Sequence, residues 1–278
     1  MPSFDFDRNC YVVRIVYDGP GLAGKTTNLE RVCRLIPARQ RSEMVTPAAL
    51  KGRTMFFDWL ELEGPNHEDA LVKFQLISVP GQEARNYRRR PLVEAADVVV
   101  FVADATPAGM NDTQRTFARL KVSMRRRDTP LPLVVQANKQ DVPDALGVTE
   151  LRKKLRLSED VPFVRATAKQ GKGVKPTLTL AMRLGVQCID QEEVQPLLPE
   201  LTNADTLFDH VLAFEDEADN NEPVEVEELN LNAESTELTP EAVAAHLSVS
   251  SLDALERRAQ RAASEHPESD ERHSANTG

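Results

Sequence analysis

The sequence predicts an α/β fold: a doubly wound, mostly parallel sheet with one antiparallel hairpin strand, followed by a C-terminal tail that is disordered or partly helical. Three observations predict it. Apolar, strand-like runs alternate with helical stretches, which is typical of a sheet covered on both faces. A glycine-rich phosphate-binding pattern lies between the first long apolar run and the first helix. The net charge changes sign after about two thirds of the chain.

The charge is distributed very unevenly along the chain. Residues 1–185 carry 30 Lys and Arg against 21 Asp and Glu, a net of +9, whereas residues 186–278 carry 4 against 23, a net of −19. The acidic part has two Phe and neither Tyr nor Trp, too little apolar surface to fold alone. We predict a globular domain over 1–185 and a largely disordered tail over 186–278. The alternative is a tail segment that docks on the basic body or on another protein.

The sequence carries no sign of export or membrane insertion. The N-terminal residues lack a basic region followed by an apolar one, and no apolar run approaches the ~18 residues of a membrane span. The three cysteines are scattered without metal-type spacing, which favours a reducing compartment. We therefore expect a cytoplasmic protein without an integral membrane segment.

The phosphate-binding pattern G-x-x-x-x-G-K-[ST] is matched in full by residues 19–26, between a predicted strand at 11–17 and a predicted helix at 27–35. Glycines let backbone N–H groups turn inward around phosphate oxygens, and the helix N-terminus adds partial positive charge. Lys25 is expected to reach the β- and γ-phosphates, and the Thr26 hydroxyl to bind Mg²⁺. The predicted phosphate-binding residues are Gly19, Pro20, Gly21, Leu22, Ala23, Gly24, Lys25, Thr26 and Thr27.

The rest of the basic part continues the alternation. A long polar loop over 37–53 precedes strands at 55–62 and 70–77, and the intervening Gly64-Pro65-Asn66 predicts a hairpin turn. Further strands are predicted at 97–103, 131–137 and 162–166, with helices over 112–127, 148–156 and 172–184. Ligand loops are expected at the carboxyl ends of the parallel strands.

Two later loops indicate which nucleotide base the site would bind. Asn138-Lys139-Gln140-Asp141 matches N-K-x-D, and the last carboxylate can accept two hydrogen bonds from guanine N1–H and its 2-amino group, which adenine cannot offer. The stem of Lys139 can lie over the base, and Asn138 can tie this loop to the phosphate loop. Thr167-Ala168-Lys169 matches the S-A-K type of loop, in which a backbone N–H contacts guanine O6.

With these motifs the chain resembles the Ras-like small GTPases, and within them the bacterial MglA family of gliding-motility and cell-polarity GTPases. The resemblance spans about residues 8–185 and is carried by Asn9-Cys10 and by the segments 15–29, 53–59, 79–82 and 100–104. It implies a Ras-like fold that binds GTP or GDP with Mg²⁺. It also implies GTP hydrolysis that is intrinsically slow and stimulated by a partner.

The resemblance also assigns the switch residues. Thr54 completes the Mg²⁺ coordination with Thr26 when the γ-phosphate is present, and the backbone N–H of Gly81 contacts that phosphate. Gln82 orients the attacking water, and Arg53 lies where the MglA family carries its own arginine finger. Arg53 and Gln82 are therefore the expected catalytic residues. Ser78 departs from the Asp that begins the usual D-x-x-G motif, which weakens the metal's surroundings.

The expected partners follow from the same resemblance: a roadblock-domain GTPase-activating protein of the MglB type and effectors of polarity or motility, with recruitment to a cell pole or to membrane-associated machinery through them. Arg85 and Arg88-Arg89-Arg90 form a basic cluster, but no base-stacking aromatic residues accompany it. We expect that face to meet a protein and not a nucleic acid.

Two other functions remain open at this point. A pseudo-GTPase adaptor would bind nucleotide structurally and act through the acidic tail; Ser78 favours it, while Arg53 and Gln82 argue against it. A phosphotransferase acting on a small molecule is disfavoured by the N-K-x-D match.

Overall fold

The computed structural model describes residues 1–47, 57–80, 86–127, 129–191 and 194–220, all within one compact unit, Met1–Pro223. Along the chain the strands are β1 Ser3–Asp5, β2 Cys10–Asp18, β3 Asp58–His67, β4 Ala70–Ser78, β5 Val98–Asp104, β6 Leu133–Asn138, β7 Phe163–Arg165 and β8 Gln195–Pro196. The helices are α1 Lys25–Leu35, α2 Asn86–Glu94, α3 Met110–Arg125, α4 Val148–Leu155, α5 Val174–Gln191 and α6 Ala204–Asn220. Short 3₁₀ turns lie at Ala38–Gln40, Ala168–Gln170 and Pro199–Leu201.

The sheet has the order β3-β4-β2-β5-β6-β7, with β3 and β4 antiparallel and every other neighbouring pair in this order parallel. A small extension at the start of β2 consists of β1, antiparallel to β2, and β8, parallel to β1. The predicted fold class, a mostly parallel sheet with one antiparallel hairpin strand, is confirmed. The loops that follow β2, β5 and β6 meet at the carboxyl edge of the sheet, where ligands bind in doubly wound folds.

The turn of the β3–β4 hairpin does not lie at Gly64-Pro65-Asn66, so that part of the prediction is wrong. These residues belong to β3, and the pairing register shifts between Glu63 and Asn66, as at a β-bulge. The chain reverses at Glu68, whose φ of 52° is left-handed. Gly64 serves packing instead, because a Cβ there would collide with the Phe74 ring.

The core forms two layers, one on each face of the sheet. Successive residues of β5 point to opposite faces, so that Phe101 packs with α3 and α6 residues while Val100 and Val102 pack with residues of α1 and α5. All seven residues of β5 are buried, as expected of a parallel strand covered on both sides.

Regular structure continues past the boundary predicted at residue 185. That residue lies inside α5, and the chain then forms β8, a 3₁₀ turn and α6. Asn203 caps α6, since its Oδ1 accepts hydrogen bonds from the N–H groups of Asp205 and Thr206 at 2.9 and 3.0 Å. Leu207, on the first turns of this helix, is fully buried. Part of the acidic segment therefore belongs to the folded body, whereas residues 221–278 lie outside the described residues.

Candidate functional site

The phosphate loop runs from the end of β2 to the start of α1, as predicted. Gly19 and Gly24 have φ values of 147° and 99°, which side chains rarely adopt. A Cβ at Gly19 would strike the Val102 carbonyl oxygen, and one at Gly24 would strike Nδ2 of Asn138. Only glycine fits these two positions, because the loop lies directly against β5 and the N-K-x-D turn.

Lys25, the first residue of α1, folds back over the loop. Its Nζ donates hydrogen bonds to the carbonyl oxygens of Gly19 and Pro20 at 2.8 and 2.7 Å. Burial lowers the pKa of this ammonium group to about 8, with Asp18 opposing the shift and Arg89 adding to it. The ammonium therefore lies at the loop in a desolvated position, where an anionic ligand would stabilise its charge.

Asp58, at the start of β3, gathers three hydroxyl groups at the mouth of the loop. Its Oδ2 accepts hydrogen bonds from Thr26 Oγ1 and Ser78 Oγ, both at 2.6 Å, and its Oδ1 accepts one from Thr46 Oγ1 at 2.9 Å. Asp58 is buried, although it is a charged residue. Sequence reasoning missed it, because nothing in the sequence links Asp58 to Thr26. The only available signal was an acidic residue at the start of the first strand of the hairpin, which begins opposite Ser78.

Asn138 connects the N-K-x-D turn to two other loops. Its Nδ2 donates a hydrogen bond to the Ala23 carbonyl at 2.7 Å, and its Oδ1 accepts one from the backbone N–H of Ala168 at 2.8 Å. The side chain is buried. The phosphate loop, the N-K-x-D turn and the Thr167–Lys169 loop are therefore brought to one place, as the sequence predicts.

The remaining residues of the predicted base site lie around this bridge. Lys139 has a left-handed φ of 66°, and its Nζ binds Asp104 Oδ2 at 2.6 Å. Asp141 is exposed, so its carboxylate faces solvent at the end of the turn. The N–H of Ala168 is already bonded to Asn138, whereas the N–H of Lys169, second in the 3₁₀ turn, has no acceptor within that turn.

Beneath the phosphate loop a buried polar network links α1, β6 and α5, which sequence reasoning also missed. Asn28 and Gln136 exchange two hydrogen bonds of 2.9 Å through their side-chain amides. Asn28 Nδ2 also binds the Gly24 carbonyl at 2.9 Å, and Gln136 Nε2 binds Thr177 Oγ1 at 2.9 Å. A satisfied network of this kind holds the end of the loop rigidly.

Asp18 and Arg89 form a buried ion pair next to the loop. Arg89 Nη2, from α2, contacts Asp18 Oδ2, and Asp18 Oδ1 accepts the Gly19 N–H at 2.7 Å. Asp18 is fully buried and Arg89 nearly so. The first peptide of the phosphate loop is thus tied to α2 through one carboxylate.

Four predicted residues, Arg53, Thr54, Gly81 and Gln82, lie outside the described residues, as does Arg85 of the basic cluster. The described elements that flank them in the chain are β3, β4 and α2. Asp58 of β3 accepts the Thr26 hydroxyl, Ser78 of β4 donates to Asp58, and Arg89 of α2 pairs with Asp18 next to the loop.

Comparison with known proteins gives the family. Residues 10–183 match the model of the Arf family, the ADP-ribosylation factor family. The chain belongs to the ADP-ribosylation factor family.

It is 35% identical over 179 residues to the Mutual gliding-motility protein MglA of Myxococcus xanthus (strain DK1622), covering 63% of this chain and 90% of that protein. It is 27% identical over 186 residues to ADP-ribosylation factor-like protein 4D of Bos taurus, covering 67% and 86%. ADP-ribosylation factor-like protein 4A of Homo sapiens is 28% identical over 159 residues, with 57% and 70% covered.

This Arf-family chain is therefore an MglA-like, Ras-like small GTPase with GTP hydrolase activity, and the prediction of that family from the sequence is confirmed. Small GTPases of the family use GTP and GDP with Mg²⁺. The family match ends at residue 183, so β8 and α6 lie beyond it. None of the helices in the described part of the chain has the length and apolarity needed to cross a membrane.

Proposed function

We propose that this small GTPase binds GTP and GDP with Mg²⁺ through the loops described above and hydrolyses GTP slowly until a partner accelerates it. We further propose that it acts as a switch in bacterial cell polarity or motility. The observation that carries the proposal is the pair of hydrogen bonds made by the Asn138 side chain. They connect the N-K-x-D turn to the phosphate loop and to the Thr167–Lys169 loop.

The base site selects guanine through a carboxylate and a backbone donor. Asp141 accepts hydrogen bonds from N1–H and the 2-amino group, and the Lys139 stem covers one face of the base. Because Asn138 uses the N–H of Ala168, we assign the donor to guanine O6 to the N–H of Lys169. An adenine in this site would leave the Asp141 carboxylate without its donors, which opposes ATP binding.

The metal site is supported by its donor set. Thr26, Thr46, Ser78 and Asp58 bring hard oxygen atoms together at the loop mouth, which is the ligand type that Mg²⁺ prefers. We propose that Asp58 supplies the carboxylate that Ser78 lacks, orienting the Thr26 hydroxyl for the metal. A Mg²⁺ ion held there would supply positive charge to neutralise the phosphates. Thr54 is proposed as the further ligand in the GTP state.

Hydrolysis depends on positioning. We propose that Gln82 orients the attacking water, that Gly81 donates its N–H to the γ-phosphate, and that Arg53 neutralises the charge that develops on the transferring group. The guanidinium of Arg53 suits this role because it contacts two oxygen atoms at once. These assignments rest on the family resemblance and on the sequence positions of the two segments, directly before β3 and before α2.

The cellular role is proposed from the relative named for mutual gliding motility. A roadblock-domain activating protein of the MglB type and polarity or motility effectors are the partners we propose, with recruitment to a cell pole through them. The basic face expected from the sequence is not available to such partners as predicted, because Arg88 and Arg89 are buried and, of the three arginines of α2, Arg90 is the exposed one. A pseudo-GTPase adaptor is not favoured, since the phosphate and base loops are assembled for binding and Asp58 compensates for Ser78.

Base choice tests the proposal most simply. In competition for the nucleotide-free protein, GDP and GTP should bind at least about 100-fold more tightly than ADP and ATP, because an unpaired carboxylate rejects the wrong base strongly. Asp141→Asn should shift the preference toward xanthine nucleotides, whereas Asp144→Asn, a matched acid in the following loop, should not. Equal affinity of the wild-type protein for GTP and ATP would contradict the guanine assignment.

A further inference from the structure

The helix α6 covers one side of α2. Its apolar residues recur at i, i+3, i+4 and i+7, as Ala204, Leu207, Phe208 and Val211, and all four are buried. They share one hydrophobic cluster with Leu92 and Val93 of α2. The family match ends at residue 183, so this contact involves a helix that lies beyond it.

The sequences of the two helices carry charges of opposite sign. The α6 sequence has six acidic residues and no Lys or Arg, while α2 carries the run Arg88-Arg89-Arg90. The guanidinium of Arg90 lies 5.5 Å from the ring centroid of Phe214, within cation–π range. Apolar packing and this cation–π contact therefore hold α6 on α2.

The same helix α2 also contacts the start of the phosphate loop, through Arg89. Arg89 pairs with the fully buried Asp18, whose other oxygen holds the Gly19 N–H, and Arg89 also donates to the Thr116 carbonyl at 3.3 Å. Two consecutive residues thus contact different neighbours: Arg89 the loop and Arg90 the C-terminal helix. A displacement of α2 moves both contacts together.

We propose that α6 is an intramolecular ligand of α2, and that its docking is coupled to nucleotide affinity through the Arg89–Asp18 pair. When α6 is docked, α2 holds Arg89 against Asp18 and neutralises a carboxylate that would repel the phosphates. When α6 leaves, α2 loses packing on one side and Asp18 is paired less often. Undocking of α6 therefore lowers nucleotide affinity, which is observed as faster release. By linkage, bound nucleotide strengthens the docking of α6 by the factor of that affinity change.

This inference rests on the proposed nucleotide binding, and the test separates the two. In the full-length chain, Arg90→Ala combined with Phe214→Ala removes the cation–π contact and leaves the deeply buried residues in place. We expect release of a fluorescent GDP analogue to be about five-fold faster or more, at the low end of allosteric couplings. Ala213→Gln, at an exposed position of α6, is the matched control. Asn203→Ala, which removes the α6 cap, is the second variant if the first does not fold.

Hydrogen exchange of residues 204–214 reports docking directly. Protection in the wild-type chain should rise when GDP is added, and it should be lower in Arg90→Ala/Phe214→Ala than in Ala213→Gln. In a background of Asp18→Asn with Arg89→Gln, removing the Phe214 contact should still reduce protection but should no longer change the GDP release rate. If α6 had only a structural role, removing the Phe214 contact would change GDP release equally in both backgrounds.

The outcomes divide clearly. GDP release that is unchanged in a variant whose α6 exchanges faster overturns the inference while leaving the proposed function intact. An effect of equal size in the Asp18→Asn/Arg89→Gln background overturns the route through this ion pair. A wild-type chain that binds no GDP contradicts the proposed function and the inference with it.

Discussion

Ser78, the last residue of β4, donates a hydrogen bond to Asp58 Oδ2 at 2.6 Å, and the two residues are direct partners across the antiparallel β3–β4 pair. The same carboxylate oxygen accepts the Thr26 hydroxyl. The strand register therefore brings an acidic residue of β3 directly opposite Ser78, the residue at the first position of the D-x-x-G motif. A carboxylate of the neighbouring strand thus contacts the phosphate-loop residue Thr26.

Asp58→Asn should weaken Mg²⁺ binding, because an amide holds the Thr26 hydroxyl without the negative charge. We expect the free Mg²⁺ concentration needed to retain GDP to rise about 10–100-fold, as for other residues that orient metal ligands. GDP release measured against free Mg²⁺ checks this. Glu61→Gln is the control, since that carboxylate in β3 pairs with Lys73. The same Mg²⁺ dependence in both variants would contradict the role of Asp58.

Nucleotide affinity should fall as the pH rises through about 8. Burial lowers the pKa of Lys25 to about 8 in the nucleotide-free protein, and bound phosphate favours the charged ammonium, so the pKa is higher in the complex. Above pH 8 binding must therefore take up a proton, and affinity should approach a tenfold loss per pH unit, about 1.4 kcal/mol. Calorimetry at pH 8.5 in two buffers of different ionisation enthalpy measures the uptake. No proton uptake together with a flat affinity profile would show that Lys25 is already neutral or already charged in both states.

Asn138→Ala should loosen the site as a whole. The change leaves the Ala23 carbonyl and the Ala168 N–H without their partner, and a buried polar group without a partner costs about 1–3 kcal/mol. We expect GDP release to accelerate by about tenfold or more. Gln140→Ala, in the same turn but bonded to Arg165 and Leu146, provides the control. Equal release rates for the two variants would mean that the bridge does not support binding.

Arg53→Ala and Gln82→Ala should each retain GTP binding and lose most of the stimulated hydrolysis. An arginine finger contributes roughly 10³–10⁵-fold to the rate, and Arg53→Lys should fail nearly as badly because a point charge lacks the two-pronged contact. Single-turnover hydrolysis with a saturating roadblock-domain activator measures both. Lys51→Ala, a basic residue in the same segment, is the control. Arg53→Ala turning over at the rate of Lys51→Ala would leave Arg53 an ordinary arginine.

The sequence predicted the parts of the fold that depend on local patterns. The nearly continuous apolar run of β5 and the phosphate-loop pattern have few other interpretations, and the structure contains both. Gly64 was mistaken for a turn residue because its real constraint is the Phe74 ring on the next strand. A single sequence does not show which distant side chain a glycine faces.

The same reason explains the residues that were missed. The role of Asp58 depends on hydrogen bonds to Ser78 and Thr26, which lie 20 and 32 positions away in the sequence. The strand pairing that brings Asp58 next to Ser78 is not visible in the sequence. In α6 the apolar period of Ala204, Leu207, Phe208 and Val211 is present in the sequence, but the surrounding acids made the segment resemble a disordered tail. Its stability comes from packing on α2, which local propensity does not reveal.

The central claim is that this chain both holds GTP and cleaves it. Wild-type protein loaded with GTP labelled at the base should be sampled over time, and the bound nucleotide extracted and separated. We predict that the bound GTP is converted to GDP in a slow single turnover that requires Mg²⁺, while Lys25→Ala, without the loop ammonium, retains little nucleotide. GTP recovered intact from the wild-type complex, with activator present as well as absent, would contradict the account and favour the adaptor.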